Sequence, residues 1–288
     1  MFYKRYATQR YGKNRPDGSS HALQFAVLSA LTSSFRVRAP DLMLLSLYNL
    51  RTSDLSPLEY PTFQTVLTSL RRFRLSPLFD PPDPFTIDDR WSHFWGTLCP
   101  RILIPMQHPL TELTLHRNAH VGTLAGLSFD GLHFPRLCSL SLDRLVFEPS
   151  VGVQNFILRH AATLAQLELI MCKLSVIPVT LFTPSPSSSM TFARDESSSE
   201  PNTWERVWDC FAEKLTALVS LHVSESPEQW DQDFRYGTHG ILILSDGWET
   251  DYAFAPRDTA DAAALQRFHE SVYARSEEVH GRGKCLTS

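Results

Sequence analysis

The chain has 288 residues, 43% of them hydrophobic, enough to bury a sizeable core in one large domain or two small ones. Charged residues make up 20% and the formal net charge of -4 is small for this length, so the overall electrostatics give no case for nucleic acid or an anionic membrane as partner. The five cysteines (Cys99, Cys138, Cys172, Cys210 and Cys285) are odd in number and form no CxxC pair, no apolar run approaches the ~18 residues of a membrane span, and Met1 to Arg15 is hydrophilic where a secretory core would stand. A soluble protein of the cytoplasm or nucleus is expected.

Residues 1–19 form a basic N-terminal segment carrying Lys4, Arg5, Arg10, Lys13 and Arg15. A phosphate-contacting arm or a mitochondrial presequence would use such charges, but three tyrosines interrupt them and Asp17 ends them. A surface segment packed on the first repeat is the expectation. Ala22 to Ser33 follows as a helix.

From residue 20 to 226 one pattern recurs. Leu110, Leu113 and Leu115 are spaced LxxLxL and followed by Asn118. Leu137, Leu140 and Leu142 repeat the spacing, followed by Leu145, and Leu164, Leu167 and Leu169 repeat it again, followed by Cys172 and Leu174. The three starts are each 27 residues apart. Earlier copies stand at Leu42, Leu45, Leu47 and Leu50 and at Leu70, Phe73, Leu75 and Leu78, and a later one at Leu218, Leu221 and Val223. The remaining steps are 28, 40 and 54 residues, the two long ones accommodating insertions.

Each LxxLxL reads as a short parallel strand with its leucines pointing inward, and the stretch before it returns along the opposite face, largely as helix. Asp89 to Leu103, with Trp91, Phe94, Trp95 and Leu98 at three and four spacing, is one such return, and Val151 to Thr163, with Val153, Phe156, Ile157 and His160, is another. Asn118 and Cys172 fall in the turn after the strand, where a small polar side chain satisfies backbone groups facing the interior. Burying one leucine is worth roughly 1.5–3 kcal/mol, which does not offset the ordering cost of one unit, so the units must stack. The expected fold class is α/β, an irregular leucine-rich-repeat solenoid with parallel strands on the concave face and helices on the convex face.

Residues 183–203, rich in Ser, Pro and acid, read as an insertion in the solenoid. Thr183 and Ser185 each precede Pro, the form of a phosphorylation site, and an unmodified loop explains them equally well. Residues 227–288 read as a terminal cap, with strands at Gly240 to Leu244 and Tyr252 to Phe254 around the turn Asp246-Gly247 and a helix over Asp258 to Arg275.

In this solenoid the strand residues between the leucines point to the concave side. They are Arg72 and Arg74, then Glu112, Thr114 and His116, then Ser139, Ser141 and Asp143, then Gln166 and Glu168, then Ser220 and His222. The stripe is mixed in charge, with arginines at one end and acids further along, and fits a protein partner.

Chemical alternatives carry less. His116 and His120 are four apart, as helical metal ligands would be, but they stand at and just past a strand, where that spacing does not join them. GxSxG, GxxxxGK[ST] and GxGxxG do not occur. Asp80, Asp83, Asp88 and Asp89 form a proline-broken acidic stretch that reads as a solvated loop. The ending Cys285-Leu286-Thr287-Ser288 is a partial prenylation box, with polar Thr287 where the second aliphatic residue belongs. No catalytic residue, metal or cofactor is expected.

Ser141 to Leu174 (SLDRLVFEPSVGVQNFILRHAATLAQLELIMCKL), preceded by Leu127 to Leu142 (LSFDGLHFPRLCSLSL) and followed by DGWETDYAF at Asp246 to Phe254 with an AALQ helix, resembles fungal F-box proteins with a leucine-rich-repeat substrate-binding region. The resemblance implies an F-box that recruits the adaptor of a cullin-based ubiquitin ligase, and repeats that select the protein substrate. An F-box opens with a Leu-Pro-x-Glu-like motif. The nearest match here, Pro57-Leu58-Glu59, has Ser56 and Tyr60 where aliphatic residues belong and lies between two repeats, so it reads as a loop, and the F-box itself is not expected in this chain. A free-standing repeat scaffold, or a truncated relic, is the alternative to a ligase subunit.

Overall fold

The computed structural model describes residues 18–37, 42–51, 56–78, 89–116, 127–149, 151–175, 179–180, 193–194, 203–224, 236–237 and 258–285. The basic segment as far as Arg15, the residues Asp80, Asp83, Asp88, Asn118, His120, Thr183 and Ser185, the expected C-terminal strands and Leu286 to Ser288 lie outside the described residues. Most of the insertion at 183–203 lies outside them too.

The chain forms an α/β fold. Its described strands are β1 (Leu44–Arg51), β2 (Arg72–Leu78), β3 (Glu112–Leu115), β4 (Ser139–Asp143), β5 (Val146–Phe147), β6 (Gln166–Ile170), β7 (Lys173–Ser175), β8 (Val179–Thr180), β9 (Ala193–Arg194), β10 (Ser220–Ser224) and β11 (Tyr236–Gly237). Its helices are α1 (Gly18–Val37), α2 (Pro61–Leu67), α3 (Asp89–Leu98), α4 (Val153–Arg159), α5 (Trp204–Lys214) and α6 (Asp258–Cys285). Among the described residues no helix is long and apolar enough to cross a membrane.

The principal sheet has six parallel strands in the order β1-β2-β3-β4-β6-β10. Its register follows the repeat, since Leu45, Phe73, Leu113, Leu140, Leu167 and Leu221 align across the six strands. Phe73, Leu113, Leu140 and Leu167 are at most 2% exposed. The two long steps in the repeat are insertions, because β2 pairs directly with β3 and β6 directly with β10.

A second regularity was not visible in the sequence. Asn49, Arg144 and Met171 have φ of 53°, 54° and 50°, the left-handed region that non-glycine residues seldom enter. Each stands seven residues after the first leucine of its LxxLxL, at Leu42, Leu137 and Leu164. The kink is tied down from the neighbouring strand, as Arg144 N–H donates to Ile170 O at 2.8 Å and Met171 N–H to Ser224 O at 2.9 Å. Beyond the turn the chain pairs again in a smaller sheet, β11-β7-β5, with Val146 opposite Lys173. Cys172 fills the turn as expected of that position, its thiol donating to Leu142 O at 3.5 Å.

The leucine face is covered by the return segments. α1 extends beyond Ala22 to Ser33 at both ends, and the return expected over Asp89 to Leu103 is α3 followed by a π-helical turn at Cys99–Leu103, which takes in Pro100. Phe94, Trp95, Leu98, Ile102 and Leu103 from this return are buried in one core with the strand leucines. α5 starts where the Thr203 hydroxyl accepts from Arg206 N–H at 3.3 Å, with Glu205 in the first turn and Lys214 in the last. Trp204, Val207, Trp208 and Phe211 form its buried stripe, and Trp204 and Trp208 stack at 4.6 Å.

α6 lies against α5 and β10. Asp261, 2% exposed, accepts from Glu205 N–H at 2.9 Å, and Arg275 donates to the carbonyls of Leu218 and Ala212 at 3.0 and 3.3 Å. The exposed pair Arg267–Asp209 at 2.8 Å adds little.

Gly152 opens α4 with φ 71°, and a Cβ there would stand 2.7 Å from Asp130 Oδ1. Gly152→Ala should therefore destabilise the fold by at least ~1 kcal/mol, seen as a lower urea midpoint. An unchanged midpoint would show that the turn before α4 rearranges freely.

Candidate protein-binding face

The face of the principal sheet opposite the leucines is built from three rows of aligned side chains. The first runs Leu44, Arg72, Glu112, Ser139, Gln166, Ser220 and the second Ser46, Arg74, Thr114, Ser141, Glu168, His222. The third includes Tyr48 beside Ser76 at one end and Asp143, Ile170 and Ser224 at the other. His116 follows β3 directly, its N–H donating to Leu75 O at 2.9 Å. The expected stripe is thus brought together on one face.

Its members differ in availability. Arg72, Arg74, Gln166, Ser220 and His222 are exposed, and Glu112, Thr114, His116, Ser139 and Glu168 are half-buried. Neither arginine forms an ion pair with a described residue. Two residues depart from the expected contact stripe. Asp143 is 6% exposed and held by Arg144 Nη1 at 3.0 Å, and Ser141 is 8% exposed. The left-handed turn at Arg144 folds its guanidinium back over Asp143 and toward Met171 Sδ, 3.1 Å away, which closes that carboxylate off.

The centre of the face is a short relay. Ser141 Oγ donates to Glu168 Oε2 at 2.5 Å, and His116 Nε2 stands 3.0 Å from the same Oγ. A carboxylate only accepts, so the single hydroxyl proton points to Glu168 and the imidazole Nε2–H donates to Ser141. In a serine hydrolase the imidazole accepts the hydroxyl hydrogen; here the imidazole N–H donates a hydrogen bond to the hydroxyl oxygen. The relay fixes the Glu168 carboxylate, with its charge toward the open face. Among the described residues no group of three or more His, Cys, Asp or Glu is placed to hold a metal ion.

The face also has an apolar end, which lies outside the expected stripe. Leu44 is 38% and Tyr48 61% exposed, on the strand before the arginines. They occupy the same positions in the first copy that Arg72 and Ser76 occupy in the second, so the repeat alignment itself held the signal. At the other end α6 packs against β10, and burial and then the nearby charge of His222 push the His269 pKa down.

His160 caps the C-terminal end of α4, in a return segment rather than on a strand. It is 1% exposed, receives Phe134 N–H on Nε2 at 2.9 Å and meets Phe156 O through Nδ1 at 2.7 Å. Both ring nitrogens are used by backbone, so its role is structural. The thiol of Cys99 is likewise buried, pushed up to about 12 and donating to Ser128 O at 2.8 Å. No family model, no curated protein and no solved structure matches the chain.

Proposed function

We propose that the chain is an irregular leucine-rich-repeat solenoid that binds another protein across its concave face, as the substrate-recognition part of an F-box-type subunit of a cullin-based ubiquitin ligase. The observation that carries the repeat and the binding is the open face itself, with exposed arginines that form no ion pair with a described residue and a fixed carboxylate held in register over a leucine ladder. Such a surface presents oriented charge without needing to fold on binding, and so limits the ordering cost of association.

The ligase connection rests on the resemblance of Leu127 to Leu142 and Ser141 to Leu174 to the repeats of fungal F-box proteins. A free-standing repeat scaffold is the second reading. Pro57-Leu58-Glu59 lies in a 3-10 turn at Ser56–Glu59, with Leu58 2% exposed in the core, so this nearest approach to an F-box opening motif serves packing.

The test is affinity purification of the tagged chain from its native cells, with identification of what co-purifies. Adaptor and cullin together with a specific client support the ligase subunit, and a client alone supports the scaffold. Replacing Arg72, Arg74 and Glu168 together by alanine should weaken client capture at least ~30-fold while leaving the melting curve in place. Undiminished capture would remove the concave face from the proposal.

A further inference from the structure

We infer that the segment this face receives is an extended stretch of a partner protein that crosses the strands and carries, in order from β1 toward β10, an apolar residue, an acidic residue and a basic residue, with the two charges four positions apart. The inference rests on the protein-binding reading and adds the chemistry of the partner. Its basis is the second row, Ser46, Arg74, Thr114, Ser141, Glu168.

Arg74 and Glu168 stand in one row with two small hydroxyl residues between them, Thr114 half-buried and Ser141 buried. Large side chains at the two ends and short ones between make a trough whose ends carry opposite charge. Three strand steps separate β2 from β6, about 14 Å at the ~4.8 Å spacing of neighbouring strands. An extended chain advances ~3.4 Å per residue and returns to the same side every second residue, so positions four apart meet both charges from one face. In a helix positions four apart are only ~6 Å apart along the axis and cannot span the trough.

The carboxylate at the far end is already oriented, because Ser141, itself held by His116, donates to one of its oxygens and an incoming Lys or Arg meets a fixed acceptor. The arginine end has no ion pair to displace with any described residue. One step further toward β1, Leu44 and Tyr48 offer exposed apolar surface to a residue two positions beyond the partner's acid. Charge placement leaves the chain direction of the partner open, so the order holds when read from either terminus.

The experiment uses the intact chain and an array of short synthetic peptides in which the separation between an acid and a base runs from two to nine residues, in both directions, with and without the apolar residue. Binding should peak at a separation of four. R74E or E168K should each lower that signal at least ~10-fold, and among the peptides that carry the apolar residue the double variant R74E/E168K should prefer those with the two charges exchanged. Equal binding at every separation, or none at any, overturns the inference. If that happens while the Arg72/Arg74/Glu168 variant still loses its native client, only the spacing is wrong; if the client is also retained, the face is wrong.

Discussion

Between pH 7 and pH 4 the folded state should lose on the order of 3 kcal/mol at His160 alone. Burial lowers this histidine from 6.5 to about 4, against the opposing pull of the Phe156 carbonyl, with the charges of His133 and Arg159 lowering it further. Its surroundings say why. Nε2 accepts the Phe134 N–H, and a proton there would set two donors against each other in a site closed to water. Between the two pKa values the unfolded chain carries the proton and the folded chain does not, so stability rises with pH across that window. The contribution is fully present above 6.5 and gone below about 4. Carboxylates titrate in the same range, and so the comparison is between the wild type and His160→Gln, each unfolded by urea at several pH values. The wild type should show the steeper dependence between pH 6.5 and 4; parallel curves would mean that His160 opens to solvent before it protonates.

Leu140→Ala should cost about 2–5 kcal/mol, among the largest effects of any single truncation in the sheet. Leu140 is 1% exposed and stands in register between Leu113 and Leu167, themselves 1% and 2% exposed, so the cavity is walled on both sides by side chains fixed in the ladder. Leu221 holds the same position on the outermost strand and is only partly buried. Leu221→Ala should cost distinctly less, as a site that can partly collapse or be wetted. Urea or thermal unfolding of the two variants decides the matter, and equal costs would show that strand position in the ladder does not govern its packing.

The parallel α/β sheet was legible because leucine at LxxLxL marks both the strand and its register, and an error of one residue would turn every leucine outward. Even the irregular steps resolved correctly, since Leu70 to Leu110 and Leu164 to Leu218 span chain insertions between adjacent strands. The smaller sheet was not legible, because strands of two or three residues such as Val146–Phe147 and Lys173–Ser175 are too short to show alternation. The left-handed position was also hidden, as Arg144 and Met171 give none of the glycine signal that usually marks positive φ. With the turn unrecognised, Asp143 counted as a contact residue, whereas the turn directs Arg144 onto it. Ser141 beside Glu168 was within reach of the sequence, 27 residues apart and so one period on, but the hydrogen bond between them required coordinates.

The equality of two lengths, the 27 residues between β3 and β4 and the 27 between β4 and β6, makes the open face a ruler graduated in whole strands. Excising residues 140–166 would set Leu167 where Leu140 now stands and bring Glu168 beside Thr114, with the loss of β5, α4 and the Ser141 hydroxyl that holds Glu168. The distance from Arg74 to Glu168 would shorten by one increment of ~4.8 Å. Duplicating the same unit would lengthen it by one. In a chain built this way the separation of two side chains on the open face is set in whole strand steps by the number of units between them.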